Sequence, residues 1–234
     1  MEESLDLEGR LRPGLDILAT EIILALKKRA RYKRNPEIYA PGLVIGHPHI
    51  SLLQYELNRM ERIHAELGRY TFASQQPFTD VGDVQLIIKR ETPASPIQAF
   101  RNNIGEAVIR HYLEWIDAYL EPGSDSDTFG EVVTTDVAAL LDIFERINLG
   151  MFVAESKFQS TPEAYLEAKG DEDTIRNLLV NKEREAKVIE LAARLATHYE
   201  FDPDQARHVF GWMIDCTVIV EIRYLQARTK GAEK

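Results

Sequence analysis

An all-α fold, arranged as a single multi-helix domain over residues 1–234, is predicted by three observations on the sequence. Apolar residues recur at spacings of three and four along most of the chain, which is the period of a helix with one buried face. Thirteen glycines and ten prolines in 234 residues are too few for a turn-rich all-β chain. The one strand-like run, Val84-Gln-Leu-Ile-Ile88, has no second run of its kind to pair with.

The elements follow in order. Leu15, Leu18, Ile22 and Leu26 carry a first helix from Leu11 to about Arg34, ended by Asn35-Pro36. A loop with Pro41-Gly42 and His47-Pro48 leads to a second helix from Ile50 to Tyr70, through Leu53, Leu57, Met60 and Leu67. Residues Thr71 to Ser95 are irregular and rich in proline. A third helix is expected from about Asn102 to Leu120, before the polar linker Glu121 to Thr128. Thr135 to Phe158 reads as one long amphipathic helix, and Thr161-Pro162-Glu163 as a capped start with proline at the first helical position. Two shorter helical pieces follow around Gly170. A long helix spans about Asn181 to Tyr199, and Asp202-Pro203 opens a last one reaching about Arg228.

Composition excludes several functions. With 28 Lys+Arg against 38 Asp+Glu the net charge is -10, so the counterion-release term that drives nucleic-acid binding is missing. Cys216 is the one cysteine, so no intrachain disulfide forms and a reducing, cytoplasmic setting is expected. The acidic start Met1-Glu-Glu-Ser-Leu-Asp-Leu-Glu8 does not read as a secretory signal, and no apolar run reaches a membrane span. No P-loop, Rossmann fingerprint or nucleophile elbow is found. Glu61-Arg-Ile-His64 is a lone E-x-x-H where a di-iron bundle needs two, and His47-Pro-His49 lacks nearby ligands, so no metal site is expected.

Polar residues in register on long helices are the remaining signal. Arg146 and Lys157 lie eleven apart, and eleven steps of about 100° return to within roughly 20° of the start, so both project from one face. They either hold a dianion or form a solvated, acid-paired face. Thr217 and Glu221 are four apart in an apolar run, where Glu221 is either partly desolvated or paired at the edge. Asn181 and Glu185 form a third such pair, within a charge run that reads equally as a solvated first turn. Arg12 alone carries no signal.

These pairs are also where the sequence resembles a known family, the all-helical chorismate mutases of the eukaryotic (fungal and plant) type. The similarity is strongest over Phe129-Gly-Glu-Val-Val-Thr-Thr-Asp136 and over Arg146-Ile-Asn-Leu-Gly-Met-Phe-Val-Ala-Glu-Ser-Lys-Phe-Gln-Ser160. It continues through Asn181 to Glu185 and Thr217 to Leu225. Leu11-Arg12, Arg29, Asn35-Pro-Glu-Ile-Tyr39, His64 to Arg69 and Gln76-Pro-Phe78 also match, and residues 79–128 match least.

The resemblance implies long helices lining an active site that rearranges chorismate to prephenate, without cofactor, in a cytoplasmic homodimer. By position it implies that Arg12 and Arg146 clamp the two carboxylates, since a guanidinium grips carboxylate in a planar fork. Lys157 would hydrogen-bond the ether oxygen as the C–O bond breaks. Glu221 would reach the same oxygen and must be protonated to do so, because an ionised carboxylate would repel it. Asn181 would be a further carboxylate ligand, Glu185 the partner of the ring hydroxyl, and Thr217 part of the polar wall. The departures fall on a possible effector region. Where fungal members bind tryptophan or tyrosine between subunits with a Gly-Ser step and two arginines, this chain has Gly130-Glu131, near Thr134, and Gly68-Arg69. The alternative is a catalytically silent homologue serving as a helical regulatory or scaffold protein. Such a relic would be expected to lose one of Arg12, Arg146, Lys157, Glu185 and Glu221, and all five are present.

Overall fold

The computed structural model describes residues 11–92 and 94–232, and among these the regular structure is helical throughout. In chain order the α-helices are α1 (Arg12–Arg29), α2 (Leu52–Glu66), α3 (Gly105–Tyr119), α4 (Phe129–Asn148), α5 (Gly150–Ser160), α6 (Pro162–Glu167), α7 (Glu172–Leu179), α8 (Lys182–His198) and α9 (Pro203–Ala232). Short 3-10 turns sit at Pro36–Tyr39, Arg69–Thr71 and Ser126–Thr128.

Local chemistry sets the ends. α1 stops at Arg29, five residues before the predicted end. The Arg29 guanidinium turns back to the carbonyls of Tyr32, Lys33 and Arg34 at 3.2, 3.0 and 2.9 Å, curling the chain out of the helix. α2 starts at Leu52 because Ser51 caps it: its side chain accepts from the Gln54 N–H, and the Gln54 side chain accepts from the Ser51 N–H. Gly68, at φ +78°, ends that helix through a left-handed turn. α3 begins at Gly105, after Asn102 accepts from the Ile104 N–H at 3.1 Å and Asn103 adopts φ +50°.

Two predicted elements differ in the structure. Val84 to Ile88 is not a strand: Leu86, Ile87 and Ile88 are exposed, and the Ile87 N–H bonds to the Glu66 carbonyl at the end of α2. A strand needs a neighbouring ladder, and none is present among the described residues. The single helix predicted from Thr135 to Phe158 begins six residues earlier, at Phe129, and is divided at Leu149 into α4 and α5. The division falls where Gly150 meets α9. Elsewhere the predicted ends move by a few residues, and α9 runs past Arg228 to Ala232.

The buried apolar residues form one cluster. α9 is its axis, lying along α8 and α5 and touching α3, α4 and α7, while α1 lies along α4 and α8. Phe210, Met213, Val220, Tyr224 and Leu225 of α9 are all within 1% of full burial, which is why that helix is apolar on more than one face. Each such side chain contributes roughly 1.5–3 kcal/mol on leaving water.

α1, α3, α4 and the Pro36–Tyr39 turn are also tied by a buried polar network. Arg29 donates to Asp136 at 2.7 Å, and the Tyr39 and Tyr112 hydroxyls donate to the same carboxylate at 2.7 and 2.8 Å. With three charge-assisted partners, the Asp136 carboxylate is satisfied inside the core. Glu61, of the E-x-x-H, is likewise structural: it accepts from the Thr79 N–H at 2.8 Å and the Thr79 hydroxyl at 2.6 Å, pinning the loop after α2.

Candidate active site

Helical spacing brings four walls together. On α1, Arg12, Leu15, Asp16 and Ala19 share one face; on α8 and its cap, Asn181, Arg184, Val188 and Leu191 do the same. α4 and α5 add Arg146 and Lys157, and α9 adds Phe210, Ile214, Thr217 and Glu221. Between them lie two adjoining cavities, one of about 140 Å³ toward Lys157 and Glu221 (the inner cavity) and one of about 610 Å³ toward Arg12 (the outer chamber), which share Leu15, Arg146, Asn181, Arg184 and Val188 as lining.

Arg146 stands between the two. It is 8% exposed, its guanidinium lies 5.3 Å over the Phe210 ring, and its buried Nε has no hydrogen-bond partner among the described residues. Burial pulls its pKa down from 12.5 to about 10, opposed by the charge of Asp16. A buried cation with an unsatisfied donor is arranged to receive an anion.

On the other side of Arg146, the Lys157 ammonium lies 3.9 Å from Glu221 Oε2 and donates to the Leu179 carbonyl at 2.7 Å. Glu221 is 6% exposed. Burial pushes its carboxyl up to about 7, against the opposing pull of Lys157 and Arg184, with Glu185 adding to the rise. Desolvation therefore wins over the cation pair, and near neutral pH a large share of this carboxyl carries a proton it can donate.

Asn181 is the N-cap of α8, its side-chain oxygen accepting from the Arg184 N–H at 3.0 Å. The cap occupies the oxygen and leaves the amide N–H groups to donate. Glu185 is half-buried and held by Lys182 at 2.9 Å. The Thr217 hydroxyl donates to the Met213 carbonyl at 2.8 Å, so toward a ligand it can only accept. Six of the seven predicted substrate residues, Arg146, Lys157, Asn181, Glu185, Thr217 and Glu221, border the inner cavity, and Arg12 borders the outer chamber.

The possible effector residues are not brought together within one chain. Gly130, Glu131 and Thr134 border a cavity of about 400 Å³ with Lys28 and Tyr32, at the start of α4. Arg69 is paired with Glu145 near the other end of that helix, and donates to Gln75 at 3.2 Å. The fifteen residues from Gly130 to Glu145 span about 22 Å of helix.

Two residues of the site were not singled out by sequence. Gly150 has no chemistry of its own, yet a Cβ there would lie 2.7 Å from Thr217 Cγ2 and 3.4 Å from Glu221 Cγ, so its absence lets α9 approach α5. Arg184 is hidden in the run Lys182-Glu-Arg-Glu185. Its signal is a spacing of three from Asn181 and four from Val188, which places all three on one face.

Fold and cleft together define a class: a wholly helical protein whose longest helices enclose a polar, cation-rich site. No protein-family model matches the chain. A chorismate mutase from Schizosaccharomyces pombe is 28% identical over 241 residues, covering 100% of this chain and 95% of that protein. The crystal structure of the chloroplast chorismate mutase from Zea mays is 26% identical, covers 97% of both chains and superposes with a TM-score of 0.81. That of a Candida albicans chorismate mutase in complex with L-Trp shares the fold at a TM-score of 0.84, with 24% identity over 98% of this chain and 94% of the other. Over nearly its whole length the chain is thus similar to chorismate mutases of fungi and plants.

Proposed function

We propose that this chain converts chorismate to prephenate, a Claisen rearrangement in which the ether C–O bond breaks as a C–C bond forms, on the route to phenylalanine and tyrosine. The observation that carries this reading is the pairing of half-buried Lys157 with buried Glu221, 3.9 Å apart, facing a cavity that Arg146 also borders. Lys157 and protonated Glu221 would both donate to the ether oxygen as it gains negative charge. That stabilises the transition state more than the ground state. Arg146 and Arg12 would hold the carboxylates, with Asn181 as a further donor, Glu185 would accept from the ring hydroxyl, and Thr217 would complete the wall. Holding the side chain over the ring in this way is an orientation effect, which supplies several further kcal/mol. No cofactor enters the proposed reaction.

The proposed domain is the whole chain, residues 1–234, acting as a cytoplasmic homodimer of twice 26.7 kDa. No helix among the described residues is long and apolar enough to cross a membrane. Tryptophan and tyrosine should change the rate little, because Glu131 puts a carboxylate beside the position of an effector's own, and Gly68 replaces one of two arginines. A silent scaffold homologue would have no use for an acid held near neutrality beside a lysine.

The test is the loss of chorismate absorbance with purified protein and no added metal or nucleotide. Conversion to prephenate is expected. No conversion by folded protein, or activity lost on exhaustive chelation, would overturn the reading.

A further inference from the structure

Arg184 differs from its charged neighbours on the first turns of α8. Lys182 pairs with Glu185 at 2.9 Å and Lys187 with Glu183 at 2.6 Å, and both lysines are exposed. Arg184 is half-buried, and its guanidinium has no hydrogen bond or ion pair among the described residues. Its backbone is held by the Asn181 cap, which fixes where the side chain leaves the helix. That side chain borders both the inner cavity, with Arg146, Lys157 and Glu221, and the outer chamber, with Arg12. Its charge reaches Glu221, lowering the proton affinity that burial raises.

A half-buried guanidinium with no hydrogen bond or ion pair among the described residues keeps its N–H donors available to a ligand that brings a counter-charge. The ligand proposed above is a dianion, and each carboxylate offers two oxygens that a planar guanidinium fork matches. We propose that Arg184 is a further substrate-binding residue, gripping a carboxylate of the dianion from the wall that the inner cavity and the outer chamber share. The inference rests on the proposed chorismate reaction.

The experiment compares wild type, Arg184→Ala and Arg184→Lys at pH 6, where Glu221 is mostly protonated in each. Steady-state kinetics with chorismate are measured beside equilibrium binding of prephenate, the dicarboxylate product, by calorimetry. Arg184→Ala should raise KM and the prephenate Kd together by about tenfold, the scale of one hydrogen bond between charged groups, with kcat within threefold of wild type. Arg184→Lys should recover part of both, since it restores charge but not the fork. KM and Kd within twofold of wild type in Arg184→Ala would overturn the assignment, as would a loss confined to kcat. A wild type that binds prephenate but leaves chorismate unchanged would overturn the underlying reaction, while the prephenate titration would still decide whether Arg184 binds the dianion.

Discussion

At the scale of single residues, the site depends on groups held away from their ordinary states, and Glu221 is the clearest. In the proposed reaction its carboxyl acts only as an acid, and burial holds its pKa near 7 against Lys157 and Arg184. Tyr165 of α6 is a further titratable group within electrostatic reach of Glu221, and Glu185 acts on Glu221 from α8. kcat should be highest below pH 7 and fall as pH rises through that value, and Glu221→Gln should flatten the profile, read as kcat from pH 5 to 9. The same shift affects stability. A carboxyl whose folded pKa lies above its unfolded value penalises folding once pH exceeds the unfolded pKa, and the full penalty is reached above about 7. Glu221→Gln should therefore raise Tm more at pH 8.5 than at pH 5. Asn181 separates two roles in one side chain. Asn181→Asp keeps an oxygen for the cap and favours the helix dipole, yet puts an anion where a carboxylate is to bind. Its Tm should stay near wild type while KM rises at least tenfold, whereas Asn181→Ala should also lose about 1 kcal/mol of stability. Equal KM values for the Asp variant and wild type would remove Asn181 from the site.

At the scale of elements, the distance between α5 and α9 sets the geometry of the proposed site. Lys157 is on one and Glu221 on the other, and Gly150 permits the close approach: a Cβ there would meet Thr217 Cγ2 at 2.7 Å, inside contact distance. Thr217 is branched and stiff at its first torsion, and its hydroxyl is bonded to Met213, so it does not swing aside freely. Gly150→Ala should push the two helices apart near the site, lowering kcat by at least tenfold while far-UV circular dichroism stays unchanged. Full activity in that variant would show that the contact relaxes without moving Glu221. The division of the predicted Thr135–Phe158 helix at Leu149 belongs to the same contact. Periodicity reports only that one face is apolar, and it does not register a one-residue irregularity imposed by a neighbouring helix.

At the scale of the whole molecule, α9 and the Arg29 network hold the walls of the cleft in place. Arg29 and Asp136 are both fully buried, and their bonds join α1, which carries Arg12, to α4, which carries Arg146. Removing one partner leaves the other charged and dry, which costs about 3–5 kcal/mol. Asp136→Ala should lower stability in urea by that amount, and an unaffected midpoint would mean the network contributes little. The net charge of -10 is compatible with binding a dianion because the cleft is locally cationic, with Arg12, Arg146, Lys157 and Arg184 on its walls. A field is set by nearby charges in a low-dielectric cleft more than by the total.

The helical class and the order of the helices are legible in the sequence because each depends on local spacing, whereas spacing leaves Arg146, Lys157, Glu185 and Glu221 open to a solvated-face reading and only the family resemblance singles them out. Leu15 to Leu26, the helix start at Pro162, and the Arg146 to Lys157 interval are statements about neighbours within a few turns. At Glu221, between Ile219-Val220 and Ile222, the sequence offers two readings, partly desolvated or paired at the edge, and does not choose between them. What the sequence left open was every quantity that depends on two distant segments meeting. Whether desolvation or Lys157 wins at Glu221 depends on how closely α5 packs on α9, and the outcome near pH 7 appears only once both helices are in place. Val84 to Ile88 has strand composition yet no partner, because pairing is a property of two segments. Arg184 looks like one more solvated charge in the run at residues 182–185, and becomes a wall of the cleft only because α1, α5 and α9 close around α8.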